Sequence, residues 1–269
     1  MGRDRFKEDR EFDELNSVNS TAQINERKRI IKGLIKRDTK IIAKNESQKK
    51  LIQSIKNNEV TICAGKAGTG KTFVALALAL SLLRKETNRY NKIYLVKSVT
   101  TLKGEEVGFI KGELKEKIDP AMWSFYINLE KMILKSTLGS LIAQDIVIPF
   151  PLAYIKGSSL DDCIIIADEV QNITVDNSRT LLTRIGSNCK LIVLGDTNQI
   201  DLRNKSESSL DVVLSLFDGV SNMGVVKMSD EDKNVRNPLI DVIEDKYNDY
   251  YKHHKTNGNG NGKKQQLNS

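Results

Sequence analysis

Two rhythms alternate along the chain. Short runs rich in Val, Ile and Leu fall at Val60–Ala64, Lys92–Val96, Ile146–Ile148, Cys163–Ala167, Leu191–Leu194 and Val225–Met228, each brief enough for a strand. Between several of them lie helix-like stretches. Lys71–Arg84 is the clearest, with enough Ala and Leu to be buried on more than one side. Apolar strands alternating with helices predict a parallel sheet covered on both faces, hence an α/β fold. Upstream, Ile24, Ile30, Ile31, Leu34 and Ile35 have helical spacing and predict a docking helix or a partner surface. Trp123, Phe125 and Tyr126 stand in an amphipathic stretch and are expected to pack in the core rather than stack on bases.

Charge separates the ends from the middle. The 269 residues carry 42 Lys and Arg against 35 Asp and Glu, a net +7. Residues 1–45 hold 12 basic and 8 acidic side chains and residues 252–269 hold 4 lysines and no acid, which leaves the middle at −1. Residues 252–269 are rich in Gly and Asn with a single apolar side chain, so burial there cannot offset ordering entropy and a flexible basic tail is expected. The domain organisation that follows is a charged, partly helical N-terminal extension over 1–40, a globular domain over 41–251 and the tail over 252–269.

Composition also excludes chemistry. The two histidines, His253 and His254, are adjacent and lie in the polar tail, which rules out histidine-built zinc sites, Ser-His-Asp triads and histidine general bases. Cys63, Cys163 and Cys189 each sit in or beside an apolar run without C-x-x-C spacing, and read as small core residues in a reducing compartment. No apolar run reaches membrane-spanning length, and the polar beginning has no signal-like apolar segment, so a soluble cytoplasmic protein is expected.

Gly65-Lys66-Ala67-Gly68-Thr69-Gly70-Lys71-Thr72 matches G-x-x-x-x-G-K-[ST] at every fixed position and lies between an apolar run and a strong helix former. In that setting successive backbone N–H groups cradle phosphates and the helix N-terminus adds a favourable dipole. Phe73 follows directly and joins residues 65–72 as a candidate nucleotide contact. Lys71 is expected to reach the β- and γ-phosphates, and the Thr72 hydroxyl to bind Mg²⁺.

Two further strand ends supply hydrolytic chemistry. Cys163–Ala167 runs into Asp168 and Glu169, which places Asp168 at the carboxyl edge of the sheet as a Mg²⁺ ligand and Glu169 as general base for an attacking water. Leu191–Leu194 runs into Gly195-Asp196-Thr197-Asn198-Gln199, where the Gln199 amide can orient that water or sense the γ-phosphate. Asn45-Glu46-Ser47-Gln48 opens a helix with Leu51, Ile52 and Ile55; the Gln48 amide matches the N6 and N7 atoms of adenine, but Asn-x-x-Gln taken alone is first of all a helix-start pattern.

Asp168-Glu169-Val170-Gln171 followed by Gly195-Asp196-Thr197-Asn198-Gln199 resembles the D-E-x-Q and G-D-x-x-Q motifs of superfamily 1 helicases. More closely, the chain resembles the PhoH family of phosphate-starvation-inducible ATPases. The matching stretches are Asn45-x-x-Gln48, AGKAGTGKT, GEEVGFIKGELKEKIDP, PLAYIKGSSLDD, IIIADEVQN, LLTRIG, LGDTNQIDL and VRNPLIDVI, in order over residues 45–243. The resemblance implies a single RecA-like P-loop NTPase core, ATP and Mg²⁺ as cofactors, and RNA or single-stranded nucleic acid as partner for a helicase-like motor or remodeller. Lys97-Ser98 and Lys156-Gly157-Ser158 stand where the family usually carries arginines, leaving Lys97, Lys103, Lys111 and Lys156 as point charges for a phosphate backbone.

Helicases of that superfamily complete the ATP site with arginines from a second RecA-like domain, and the 67 residues after Leu202 leave no room for one. A neighbouring subunit is the natural source of that charge, so a homo-oligomeric ring is expected, a hexamer being one closure. Arg236 in VRNPL is the preferred trans arginine, with Arg184 and Arg203 as alternatives. Two other readings remain open. One is an ATP-gated nucleic-acid-binding or assembly module with little turnover; the other is a P-loop small-molecule kinase.

Overall fold

The computed structural model of the protein describes residues 25–36, 41–87, 89–97, 114–157, 159–229, 231–235, 237 and 239–257. Its elements are α1 (25–34), followed by α2 (Glu46–Asn57), β1 (Val60–Ala64), α3 (Lys71–Arg84), β2 (Lys92–Lys97), α4 (Leu114–Glu130), α5 (Lys135–Ala143), β3 (Val147–Pro151), β4 (Cys163–Asp168), α6 (Val175–Leu182), β5 (Lys190–Gly195), α7 (Leu210–Leu216), β6 (Met223–Lys227) and α8 (Leu239–Asn257). All six strands join one parallel sheet in the order β3-β2-β4-β5-β1-β6. The expected α/β architecture with a mostly parallel sheet is what forms.

Alternate residues of each strand face opposite sides of the sheet. Cys63, Ile164, Ile166, Ile192 and Leu194 pack under the helices of one face, with Ile31 of α1, Leu51 of α2, Leu76 and Leu80 of α3, and Phe125 of α4. Ile62, Ile165, Ala167, Leu191 and Val193 pack on the other face, with Leu181 of α6 and Leu210, Val213 and Leu214 of α7. Burial on both faces explains why the central strands read as unbroken apolar runs rather than alternating ones. Residues Val74 to Leu80 of α3 are all buried, because this helix is flanked by the sheet beneath and by α2 and α4.

Three places depart from the expected outline, and at a fourth one of two open readings holds. β3 extends through Pro149 and Pro151, beyond the run at Ile146–Ile148; it pairs only with β2, and an edge strand tolerates residues without an N–H. Residues 25–36, placed in the extension and expected either to dock or to offer a partner surface, dock on the domain, with Ile31 and Ile35 buried to 0% and 2% exposure. Ile24 lies outside the described residues. α8 continues through residues 252–257, into the stretch expected to be flexible. Finally, Phe125 is buried and Tyr126 packs partly against the core, but Trp123 is 63% exposed. Met122, Phe125 and Leu129 occupy the inward stripe of α4, and Trp123 lies about 100° around the helix from the first of them.

The order β4-β5-β1 sets three strand ends side by side at one edge of the sheet. Asp168, Gly195 and the loop after Ala64 all leave from that edge. No helix among the described residues is long and apolar enough to cross a membrane.

Candidate functional site

The loop between β1 and α3 turns through two positive-φ glycines, Gly68 at 80° and Gly70 at 87°. A Cβ at Gly68 would fall 1.9 Å from Asn234 Nδ2, so both backbone conformation and neighbour demand glycine there. Lys71 opens α3, is 8% exposed, and donates through Nζ to the carbonyls of Gly65 (2.6 Å) and Lys66 (2.9 Å). Thr69 Oγ1 closes the turn on Lys66 O at 2.8 Å. The ammonium thus sits inside the loop, at the end of a helix whose free N–H groups favour an anion.

At the second residue of α3 the Thr72 hydroxyl donates to Asp168 Oδ2 at 2.8 Å. Asp168 is 7% exposed at the end of β4. Burial pushes its carboxyl above the ordinary range, the neighbouring Glu169 charge adds to that, and the Thr72 hydrogen bond, Lys97 and Lys71 oppose it. Two hard oxygens side by side next to a phosphate loop fit Mg²⁺, which takes one or two protein oxygens and completes its shell with phosphate and water. Among the described residues no cluster of three or more His, Cys, Asp or Glu offers a dedicated metal cage.

Glu169 holds a left-handed backbone, φ 58°, at the turn after β4. Its carboxylate accepts Gln171 Nε2 at 2.6 Å. Gln199 lines the same cleft from the loop after β5, so the two residues expected to handle water do converge with Lys71, Thr72 and Asp168. The cleft measures about 600 Å³ and continues outward past Phe73 to Ile41, Ile42, Asn128 and Lys131. That size falls in the usual range for small-ligand pockets.

Asn45 acts as the N-cap of α2, its Oδ1 accepting Gln48 N–H at 2.8 Å, which is the helix-start role. Gln48 lines the cleft but is 3% exposed and held at both ends: Nε2 donates to Thr69 O at 2.9 Å and Oε1 accepts Lys44 N–H at 2.9 Å. Only its second N–H and second lone pair are left for a base. Arg184 and Arg203 do not line the cleft. Lys97 Nζ donates to Ser124 Oγ at 3.2 Å, and Lys156 is exposed. Arg236, Lys103 and Lys111 lie outside the described residues.

Two contributors escaped the sequence reading. Asp196, 4% exposed, accepts Ala67 N–H of the phosphate loop at 2.8 Å and Asn198 N–H at 2.9 Å. Its signal was the same as that of Asp168, an acid at the end of an apolar strand. Asn234 and Val235 dock on the loop from the far end of the chain, through Val235 N–H to Gly68 O at 3.0 Å and Asn234 Nδ2 to Ala67 O at 3.4 Å. Nothing in local sequence announces that contact.

Residues 40–248 match the family model described as PhoH-like protein. The chain is 33% identical over 220 residues to a PhoH-like protein of Mycobacterium leprae, with 82% of this chain and 62% of that relative covered. It is 34% identical over 207 residues to a PhoH-like protein of Bacillus subtilis, with 77% and 64% covered. Against protein PhoH of Escherichia coli the identity is 32% over 200 residues, covering 73% and 55%. The chain therefore spans less than two-thirds of the length of these relatives. Among solved structures, the large terminase of bacteriophage HK97 superposes with a TM-score of 0.46 at 13% identity, over 73% of this chain and 42% of that one.

Proposed function

The chain belongs to the PhoH-like family, and from that premise we propose that it is a Mg²⁺-dependent ATPase whose turnover acts on RNA or single-stranded nucleic acid. The observation that carries the reading is the convergence of Lys71, Thr72, Asp168, Glu169 and Gln199, drawn from three strand ends, on one cleft. Thr72 and Asp168 would hold Mg²⁺, which would supply charge neutralisation for the phosphates. Lys71 exchanges the Gly65 and Lys66 carbonyls for phosphate oxygens. Glu169 takes a proton from water as the water oxygen bonds to the γ-phosphorus and the bond to the bridging oxygen breaks, giving ADP and inorganic phosphate. Gln199 orients that water.

A homo-oligomeric ring, with a hexamer as one closure, belongs to the same proposal. It rests on the need for a cation opposite the γ-phosphate, with Arg236 as the donor from the next subunit. α8 supports it, because Leu239, Val242, Ile243, Tyr247 and Tyr250 form an exposed apolar stripe at helical spacing. That helix starts just after Asn234 and Val235, which touch the phosphate loop.

Steady-state ATP hydrolysis with and without single-stranded RNA and DNA tests the reading. We expect stimulation by one polymer, loss of turnover in Lys71→Ala, and retained ATP binding with only residual turnover in Glu169→Gln. A rate indifferent to every polymer removes the nucleic-acid part. Turnover that survives Lys71→Ala removes the site assignment, and ADP formation that requires an added small-molecule acceptor replaces hydrolysis by kinase chemistry.

A further inference from the structure

The residue between the general base and the loop carrying Gln199 has no role in the reading above. Gln171 is 0% exposed and does not line the cleft. Its amide makes three hydrogen bonds to three residues in two turns. Nε2 donates to Glu169 Oε2 at 2.6 Å and to Gln199 O at 3.1 Å, and Oε1 accepts Asp196 N–H at 3.0 Å. Both donor hydrogens are used. Asp196 in turn holds Ala67 N–H of the phosphate loop at 2.8 Å. One buried amide therefore links the turns after β4 and β5 and, through Asp196, the turn after β1.

Glu169 needs such a partner. Its backbone is in the left-handed region at φ 58°, and its carboxylate lies several rotatable bonds beyond that backbone, so a hydrogen bond is what fixes its heading. A donor on Oε2 fixes the carboxylate plane and leaves Oε1 to accept a proton from water in the cleft that Glu169 lines. The same amide grips the backbone of Gln199, so the two residues that handle the water are held by one group. Next to it, Asn172 ties the two turns a second time: Asp201 N–H donates to Asn172 Oδ1 at 2.7 Å, and Asn172 Nδ2 donates to Asp201 Oδ2 at 3.2 Å.

We propose that Gln171 is a positioning residue for hydrolysis, aiming the Glu169 carboxylate and locking it to the turn that presents Gln199. The proposal rests on the ATPase reading and adds to it the group on which the geometry of the water-handling residues depends. Gln171→Met keeps the size of the side chain and removes all three hydrogen bonds. Gln171→Glu keeps the acceptor for Asp196 N–H, removes both donors and sets a like charge beside Glu169.

The test measures ATP affinity, turnover and melting temperature in the parent, in both variants, in Glu169→Gln, and in the double variant Glu169→Gln with Gln171→Met. We expect ATP affinity within a few-fold of the parent and turnover lowered on the order of 10²-fold in both single variants, the size of effect a misdirected general base produces. In the Glu169→Gln background, adding Gln171→Met should change residual turnover by less than about twofold, because groups acting as a unit do not add. If Gln171→Met does not fold, Gln171→Glu carries the comparison. Turnover near the parental value in a variant that binds ATP overturns the proposal. So does a full additive loss in the Glu169→Gln background, or a loss of binding that keeps step with turnover in both variants. A parent protein that binds ATP and never hydrolyses it overturns the ATPase reading itself, and is told apart because it shows before any substitution.

Discussion

Cys63 lies in β1 just before the phosphate loop, fully buried, and burial pushes its thiol up to about 12, with Lys71 pulling it down and Asp168 pushing it further up. The sign of the consequence is definite. An unfolded chain releases the Cys63 proton near the ordinary value of 9, and the folded chain holds it to about 12. Between those values the native state binds more protons, so raising the pH favours unfolding. Cys163 adds to the same trend, since its hydrogen bond to Cys189 (Sγ to Sγ 3.6 Å), burial and the Cys189 charge all push its thiol up. Urea midpoints measured from pH 8 to 11 should fall with pH, and Cys63→Ala should fall less steeply than the parent. Equal slopes would show that the β1 thiol is not held in its neutral form. All three thiols are free and buried, so a thiol reagent at pH 8 should label the native protein only at the rate at which it opens.

At the scale of elements, α1 and α3 are joined by a contact that hydrophobic periodicity does not report. Lys28 is 7% exposed and donates through Nζ to Leu83 O at 2.9 Å, to Lys85 O at 3.3 Å and to Tyr90 O. The first two carbonyls belong to the end of α3, where helix geometry leaves acceptors without intrahelical partners and the dipole favours a cation. Arg27 reaches Asn91 O at 3.1 Å and the carbonyls of Gln144 and Asp145, so α1 also clasps the approaches to β2 and β3. Lys28→Met should lower stability by about 1–3 kcal/mol, the cost of leaving buried carbonyls without a donor. Denaturant unfolding checks this, and ATP affinity should not change, because the phosphate loop lies at the other end of α3. These contacts also mark where sequence legibility stops. The central strands were readable because burial on both faces writes itself as Ile-Ile-Ile or Leu-Ile-Val-Leu, and the phosphate loop because its chemistry is local. That α1 is a helix was equally readable. Docking was one of its two expected uses, but the carbonyls that fix where it docks were not readable, since they lie 55 or more positions away and every residue type possesses them. Gln171 was visible inside Asp168-Glu169-Val170-Gln171, but its three partners come from two separate turns, and only the folded chain brings them together.

For the whole molecule the proposed ATPase turns on whether a cation opposite the γ-phosphate comes from the same chain or from the next one. Arg184 and Arg203 do not line the cleft, and among the described cleft residues the cations are Lys44, Lys71 and Lys131. Lys71 is the phosphate-loop lysine, and Lys44 and Lys131 come from segments outside the three strand ends. A subunit packed along the exposed stripe of α8 would sit beside the segment of Asn234 and Val235 that contacts the loop, and assembly and site completion would then be one event. Two measurements separate the possibilities. Val242→Asp places a charge on a 53% exposed position of the stripe, where a monomer should not notice it; it should reduce the particle to monomer by light scattering and lower turnover with it. In the second, Lys71→Ala and Arg236→Ala subunits, each inactive alone, are mixed in equal amounts. With random neighbours and independent interfaces, about a quarter of the sites pair an intact phosphate loop with an intact arginine across the interface, so about a quarter of the parental rate should return. If the arginine serves its own chain, every subunit in the mixture carries a defective site and no activity returns, which would leave the stripe without a catalytic purpose.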